Sequence, residues 1–294
     1  MTALVSPKLL ERAARLDVGT RRARGGRAAG DRAAGVAGAG SVFHEHRSYA
    51  PGDDPRYVDW SAWGRLRSLQ VKVFELEESL DLHVLVDRTA SLGSGPGSKL
   101  EAGCRAAALV AAAALARGDA VRVQALPAPD GARGPREFSG PRALPGLLAA
   151  LADVAPGARR PLGDALREAF PELRRRGAAV LVTDFLGDAA DWRRAVDFLV
   201  HRRVELFAIH VVAPEERRPS LAGPLRLRDA ETGETLDLDV DDPVVAEYER
   251  RFERHLREVD AFLRSRGAVH VLVDTAHAAE GELLRLLLRR GVLR

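Results

Sequence analysis

Two very apolar segments that each end on an aspartate constrain this chain more than any other feature. The first runs Asp81-Leu82-His83-Val84-Leu85-Val86-Asp87 and leads into Arg88-Thr89-Ala90-Ser91; the second runs Ala178-Ala179-Val180-Leu181-Val182-Thr183-Asp184. Unbroken aliphatic runs of this kind, each followed by a helix-like stretch, predict parallel strands covered on both faces, since a strand with no solvent side has no polar alternation. Ligands of open parallel sheets gather beyond the carboxyl ends of the strands, where the strand order reverses. The Asp-x-Thr-x-Ser loop and the second aspartate would then share one crevice and offer only oxygen donors. Such donor sets suit hard cations, magnesium or manganese.

The rest of the pattern extends this into a doubly wound α/β plan with a mainly parallel sheet. Helices are expected near 98–117, 143–151, 162–176, 189–202, 243–266 and 280–290, and strands at 120–126, 205–212 and 269–274. Ser6-Pro7 supplies a cap and first turn for a helix reaching about Asp17. The Gly/Pro-rich stretch after Leu126 shows no regular period. Leu225-Arg226-Leu227 and Leu236-Asp237-Leu238 alternate on either side of Glu231-Thr232-Gly233-Glu234, which predicts a β-hairpin. The implied organisation is an N-terminal helix with a basic segment over 1–40, a block over 41–79 packed on the sheet, and an α/β domain over 80–294.

Composition excludes several classes. Cys104 is the single cysteine of 294 residues, so there is no disulfide framework and no cysteine metal cluster, as expected for a reducing compartment. The longest apolar stretch, 106–116, lies between Arg105 and Arg117 and is too short to span a bilayer. Lys8, Glu11 and Arg12 beside Leu9 and Leu10 do not form a secretory signal, which places the protein in the cytoplasm. Residues 1–40 hold eight Lys/Arg against three Asp/Glu, a balance of +5 that exceeds the +3 of the whole chain. Their basic centre, Arg21-Arg22-Ala23-Arg24-Gly25-Gly26-Arg27, reads as a solvated linker, with nucleic-acid binding as the alternative; it lacks the interleaved aromatics that base stacking uses.

A longer constellation precedes the first strand: Arg47-x-Tyr49-x-Pro51-Gly52-Asp53-Asp54-x-Arg56-x-Val58-Asp59-Trp60, then Val71-Lys72 and Phe74-Glu75-Leu76-Glu77-Glu78. With the strand and Asp87-x-Thr89-x-Ser91 that follow, it resembles the bacterial "domain of unknown function 58" family. The resemblance implies a von Willebrand factor A-like domain, a metal-ion-dependent adhesion site and a functional link to MoxR-type AAA+ ATPases. Carried over residue by residue, the metal ligands are Asp87, Thr89 and Ser91 from the first loop and Asp184 from the later one, with a position left open for a partner's carboxylate. Thr89 preserves the hydroxyl of the more usual serine. The loop Arg159-Arg160-Pro161-Leu162-Gly163 departs further, because Arg160 occupies the place of a ligating threonine. A guanidinium cannot ligate a cation and repels one. Arg160 either swings away, replaces the metal between Asp87 and Asp184, or itself meets an acidic partner.

Other chemistry is weaker. The two histidines of His44-Glu45-His46 point to opposite faces of a strand, and Asp53-Asp54 fits turn geometry with Arg47 or Arg56 as ion-pair partners. Trp60 and Trp63 read as wedges between the N-terminal extension and the sheet. Gly93-Ser94-Gly95-Pro96-Gly97-Ser98-Lys99 has the wrong order for a phosphate-binding loop, and Pro96 removes an amide that such a loop would use. No Ser-His-Asp or Cys-His arrangement emerges, so no catalytic residue is assigned. The expectation is a non-catalytic interaction protein acting with an AAA+ ATPase or its client. A magnesium-dependent hydrolase or phosphotransfer enzyme built on Asp87 and Asp184 is the competing class.

Overall fold

The computed structural model describes residues 4–20, 41–76, 80–93, 97–129, 131, 134–157, 160–169, 177–229 and 233–294. In chain order the elements are α1 (Pro7–Ala13), β1 (Ser41–Ser48), α2 (Trp60–Leu66), β2 (Gln70–Leu76), β3 (Asp81–Asp87), α3 (Lys99–Ala116), β4 (Ala120–Leu126) and β5 (Arg136–Ser139). Then come α4 (Leu144–Ala152), α5 (Leu162–Ala169), β6 (Gly177–Thr183), α6 (Ala189–His201), β7 (Val204–Val212), α7 (Pro214–Arg217), β8 (Gly223–Arg228), β9 (Thr235–Val240), α8 (Asp242–Ser265), β10 (Val269–Asp274) and α9 (Glu280–Arg289). The chain forms two compact units, one of residues 1–20 with 80–294 and the other of residues 21–79. The basic Arg21–Arg27 stretch lies outside the described residues, as does the 170–176 end of the helix expected over 162–176.

The larger unit is built on a six-stranded sheet in the order β10-β7-β6-β3-β4-β5, parallel throughout except for the edge strand β5. Alternate side chains of β3 feed two separate cores, as a period of two requires. Leu82, Val84 and Val86 face α1, α3, α4 and α9, while Leu85 faces α5, α6 and α8. Every residue of β6 is buried. The alanine-rich α3 lies close to this sheet: a Cβ at Gly103 would stand 2.2 Å from Val182 Cγ1. Strand β5 falls in the stretch expected to be irregular, and it pairs antiparallel with β4. The hairpin is present as β8 and β9, with Leu225 opposite Leu238 and Leu227 opposite Leu236.

In the smaller unit β1 and β2 pair antiparallel, with a bulge between Phe43 and Glu45. Ala50-Pro51-Gly52-Asp53 is a tight turn: Asp53 N donates to Ala50 O at 3.0 Å, and Gly52 supplies the positive φ of 106°. Tyr49 N donates to Leu69 O, which starts the turn at the end of the ladder. The acidic residues each hold a local frame. Asp53 accepts from Arg47 Nη2 at 2.8 Å, and Asp54 from Arg56 Nη2 at 2.6 Å. Asp59 caps α2 by accepting from the Ser61 and Ala62 amides, both at 3.0 Å, and it also meets His46 Nε2 at 2.9 Å. The Ala62 amide and His46 hold its carboxyl down at about 2. Trp60 and Trp63 are exposed. The His44 side chain lies outside the described residues.

Candidate functional site

Strands β3 and β6 are parallel neighbours, paired from Leu82↔Ala178 to Val86↔Val182, so Asp87 at the end of β3 and Asp184 just after β6 emerge side by side. The next strand along the chain from β3, β4, lies on its other flank, and the order therefore reverses at β3. This is where an open sheet leaves a crevice. A cavity of about 280 Å³ opens there, lined by Asp87, Thr89, Arg160, Asp184, Asp188 and Arg194 among others.

Asp87 is buried. Its Oδ2 accepts from Thr183 Oγ1 at 2.7 Å, and its Oδ1 accepts from the Thr89 amide at 2.9 Å. Burial pushes its carboxyl up to about 6, the Asp184 charge adding to the rise while the Thr183 and Thr89 hydrogen bonds oppose it. Beside it Thr89 Oγ1 and Ser91 Oγ stand 3.1 Å apart. Asp184 is held differently. Its Oδ1 accepts from Leu186 N at 3.1 Å, and its Oδ2 accepts from Lys99 Nζ at 2.7 Å. The Lys99 and Asp184 side chains are each only 5% exposed, and Lys99 Nζ makes a second ion pair with Glu216 Oε1. Phe185, in the left-handed region at φ 53°, turns the chain sharply after Asp184 and seats its buried ring edge-on to Trp192 and His210.

The chain matches the family model "Protein of unknown function DUF58" over residues 45–258. It belongs to that family. "Uncharacterized protein Rv1480" of Mycobacterium tuberculosis is 31% identical over 269 residues, covering 88% of this chain and 83% of that protein. "Uncharacterized protein MAV169" of Mycobacterium avium is 34% identical over 132 residues, covering 44% and 75%. Among solved structures, the conserved hypothetical protein BatB of Bacteroides thetaiotaomicron aligns with a TM-score of 0.42 at 13% identity, over 72% of this chain and 98% of that one.

In this DUF58 protein the four oxygen donors expected from sequence come together: Asp87, Thr89 and Asp184 line one cavity, and Ser91 reaches it through Thr89. Arg160 lines the same cavity but does not bridge the aspartates, because its guanidinium pairs with Glu168. The cation set against Asp184 is Lys99. Among the described residues no group of three or more His, Cys, Asp or Glu side chains is arranged to hold a metal. A hard cation would therefore have to rest on Asp87 and the two hydroxyls. That donor set fits one: a buried carboxylate with a raised pKa lacks a counter-charge, and two hydroxyls lie next to it.

Sequence reasoning missed Lys99, Glu216 and Arg88. One signal for Lys99 was available, since a lysine in the first turn of a helix opposes the helix dipole and asks for an acidic partner. Glu216 sits on α7, where its Oε2 accepts from Ala213 N at 2.9 Å, and nothing in its neighbourhood advertises a partner 117 residues earlier. Arg88 fixes residues 155–157: its Nε donates to Ala155 O at 2.7 Å, and its own carbonyl accepts from Gly157 N at 2.7 Å. A Cβ at Gly157 would lie 2.3 Å from the Arg88 guanidinium carbon, so any larger residue there would push the guanidinium aside.

Proposed function

We propose that this DUF58 protein is a non-catalytic protein-interaction module of von Willebrand factor A type, acting in the cytoplasm with a MoxR-type AAA+ ATPase in the assembly or activation of other proteins. Its degenerate metal-ion-dependent adhesion site takes an acidic side chain of the ATPase or of a client. The observation that carries the reading is Asp87, a buried carboxylate pushed up to about 6, set beside two hydroxyls and facing a cavity lined by Arg160. A magnesium ion on Asp87, Thr89 and Ser91, with Asp184 nearby, would supply an open position for a carboxylate. Arg160, which is substantially exposed, reaches the same carboxylate by exchanging its surface partner Glu168 for it. The partner class rests on the family resemblance.

The raised Asp87 also supports the competing reading of a magnesium-dependent hydrolase, for which a carboxyl titrating near neutrality would be a proton acceptor. Against it, both Asp87 oxygens already accept internal hydrogen bonds, from Thr183 and from Thr89. The test is a pull-down of a co-encoded MoxR-type ATPase with magnesium present, comparing the parent protein with an Asp87→Asn, Arg160→Ala double variant. Circular dichroism serves as the folding control. Binding should weaken at least about tenfold in the double variant, which loses two charge-assisted contacts. Undiminished binding by a folded double variant overturns the assignment of this face. Asp184→Ala is the poorer probe, since it leaves the buried Lys99 ammonium with Glu216 alone and so disturbs the packing as well as the site.

A further inference from the structure

Lys99 does not belong to the oxygen-donor set, yet it is the most fully enclosed cation at the site. Its ammonium is 2.7 Å from Asp184 Oδ2, its side chain is 5% exposed, and its second partner, Glu216, is 24% exposed on the solvent side of the pair. Glu216 is itself fixed. Its Oε2 accepts from Ala213 N, and its carbonyl accepts from Tyr248 Oη at 2.9 Å, while the adjacent Arg217 pairs with Glu253 at 2.6 Å. The lysine is thus shared between a carboxylate of the site and a carboxylate anchored on the corner between α7 and α8.

Resting on the reading that this site holds a divalent cation, we propose that Lys99 is its tethered competitor: the ammonium neutralises Asp184 when no ion is bound, and a divalent cation draws Asp184 away from it. Two like charges a few ångströms apart in a partly buried site repel strongly, so ion and ammonium cannot share Asp184 at full strength. Glu216 makes the exchange feasible. A lysine released into a 5%-exposed site without a partner would be an unpaired buried charge, whereas here it keeps one carboxylate throughout. The site is therefore set to bind magnesium weakly and reversibly, and its occupancy is coupled through Glu216 to the α7–α8 corner, from which the β8–β9 hairpin also departs.

The experiment is calorimetric titration of magnesium into the parent, Lys99→Gln, Glu216→Gln and the double variant of these two, with Asp87→Asn as the control that removes the site. Glutamine at 99 keeps an N–H donor for Asp184 and removes the charge. Lys99→Gln should bind magnesium at least about tenfold more tightly, because the repulsion is gone. Glu216→Gln should bind about threefold or more weakly, because Lys99 then has only Asp184, and this effect should shrink in the Lys99→Gln background. Thermal unfolding in chelator and in magnesium provides a second readout: the ion should raise the midpoint of Lys99→Gln more than that of the parent. Equal or weaker binding by Lys99→Gln, with binding still abolished by Asp87→Asn, overturns the competitor role and leaves the metal site intact. Absence of binding in every variant removes the metal site and the competitor with it.

Discussion

Burial puts an electrostatic cost on the Asp87 charge, and its sign is testable. Its carboxyl titrates at about 6 in the fold against an ordinary 3.8, chiefly because burial disfavours the charge. Between those values the folded protein keeps a proton on Asp87 that the unfolded chain has released, so the Asp87 contribution to stability falls as pH rises from about 4 to about 6, while buried His210 and His270, whose pKa values are lowered, contribute in the opposite sense. The full shift corresponds to a loss of about 3 kcal/mol at most. Urea unfolding in chelator across this range should show that decline in the difference between the parent and Asp87→Asn, in which the histidine contributions cancel. Asp87→Asn, whose amide can still meet Thr183 and the Thr89 N–H, should flatten the Asp87 contribution and be the more stable protein at pH 7. A parent-minus-variant difference that stays level or rises over the same window would show that Asp87 is not charged at that cost. Arg160 sets a second expectation at this scale. Its guanidinium lines the cavity and ligates nothing, so Arg160→Thr should strengthen magnesium binding by a few-fold, read by calorimetry, through the loss of a positive charge and the gain of a hydroxyl. Residue types and their loops were legible at this level, but side-chain pairing was not. Lys99 finds Asp184 85 positions away, and the sequence offers no period or motif that joins them.

Elements were easier to read wherever burial imposed a pattern. The runs around β3 and β6 are apolar because both faces of those strands are covered, and they were recognisable without any tertiary knowledge. Strand β5 had no such mark. Its residues Arg136 to Ser139 are mostly exposed, and beside its backbone ladder with β4 the buried Arg122 side chain donates to Asp81 Oδ1 and Glu137 Oε1, both at 2.7 Å. A three-way ion pair among residues on separate strands leaves no trace in local propensity. Helix α1 also ends earlier than its sequence suggests, because Asp17 and Arg294 exchange backbone hydrogen bonds at 2.8 and 3.0 Å and draw the chain out of the helix. The packing of α3 supplies the prediction at this scale. Gly103→Ala would place a methyl 2.2 Å from Val182 Cγ1 and 3.2 Å from Val211 Cγ2, both strand residues on the sheet. The helix must back away or the valines must leave their rotamers, at a cost of about 1–3 kcal/mol. Denaturant unfolding should show a lower midpoint with an unchanged slope. An unaffected midpoint would mean that α3 is less closely seated than the distances state.

At the scale of the larger unit, the two ends of the chain close one side of the sheet together. Val5, Leu9, Leu10 and Ala13 from the N-terminal segment share a core with Leu283, Leu284 and Leu287 of α9 and with α3, and Val18 bridges to Leu293. The α/β unit is therefore assembled from residues on both sides of the 21–79 unit in sequence, and Val5 to Val18 contribute to its core. The sequence marks the amphipathic start of this helix but not its docking site, since a seven-residue helix has too little surface to specify a partner by periodicity alone. Leu9→Ala and Leu10→Ala each delete a side chain that is less than a tenth exposed, and each should cost about 2–4 kcal/mol in transfer and cavity terms. The same loss should appear in the unfolding of the sheet, because the cluster that holds these leucines also holds Val84, Val180 and Ile209. Near-ultraviolet circular dichroism, which reports on Trp192 in the opposite core, should lose its signal at the same denaturant concentration as the far-ultraviolet bands, with both midpoints shifted by the substitution. A leucine variant that left the strand and Trp192 transition in place and lost only a small helical signal would show that the N-terminal segment frays independently, and that the α/β unit stands without it.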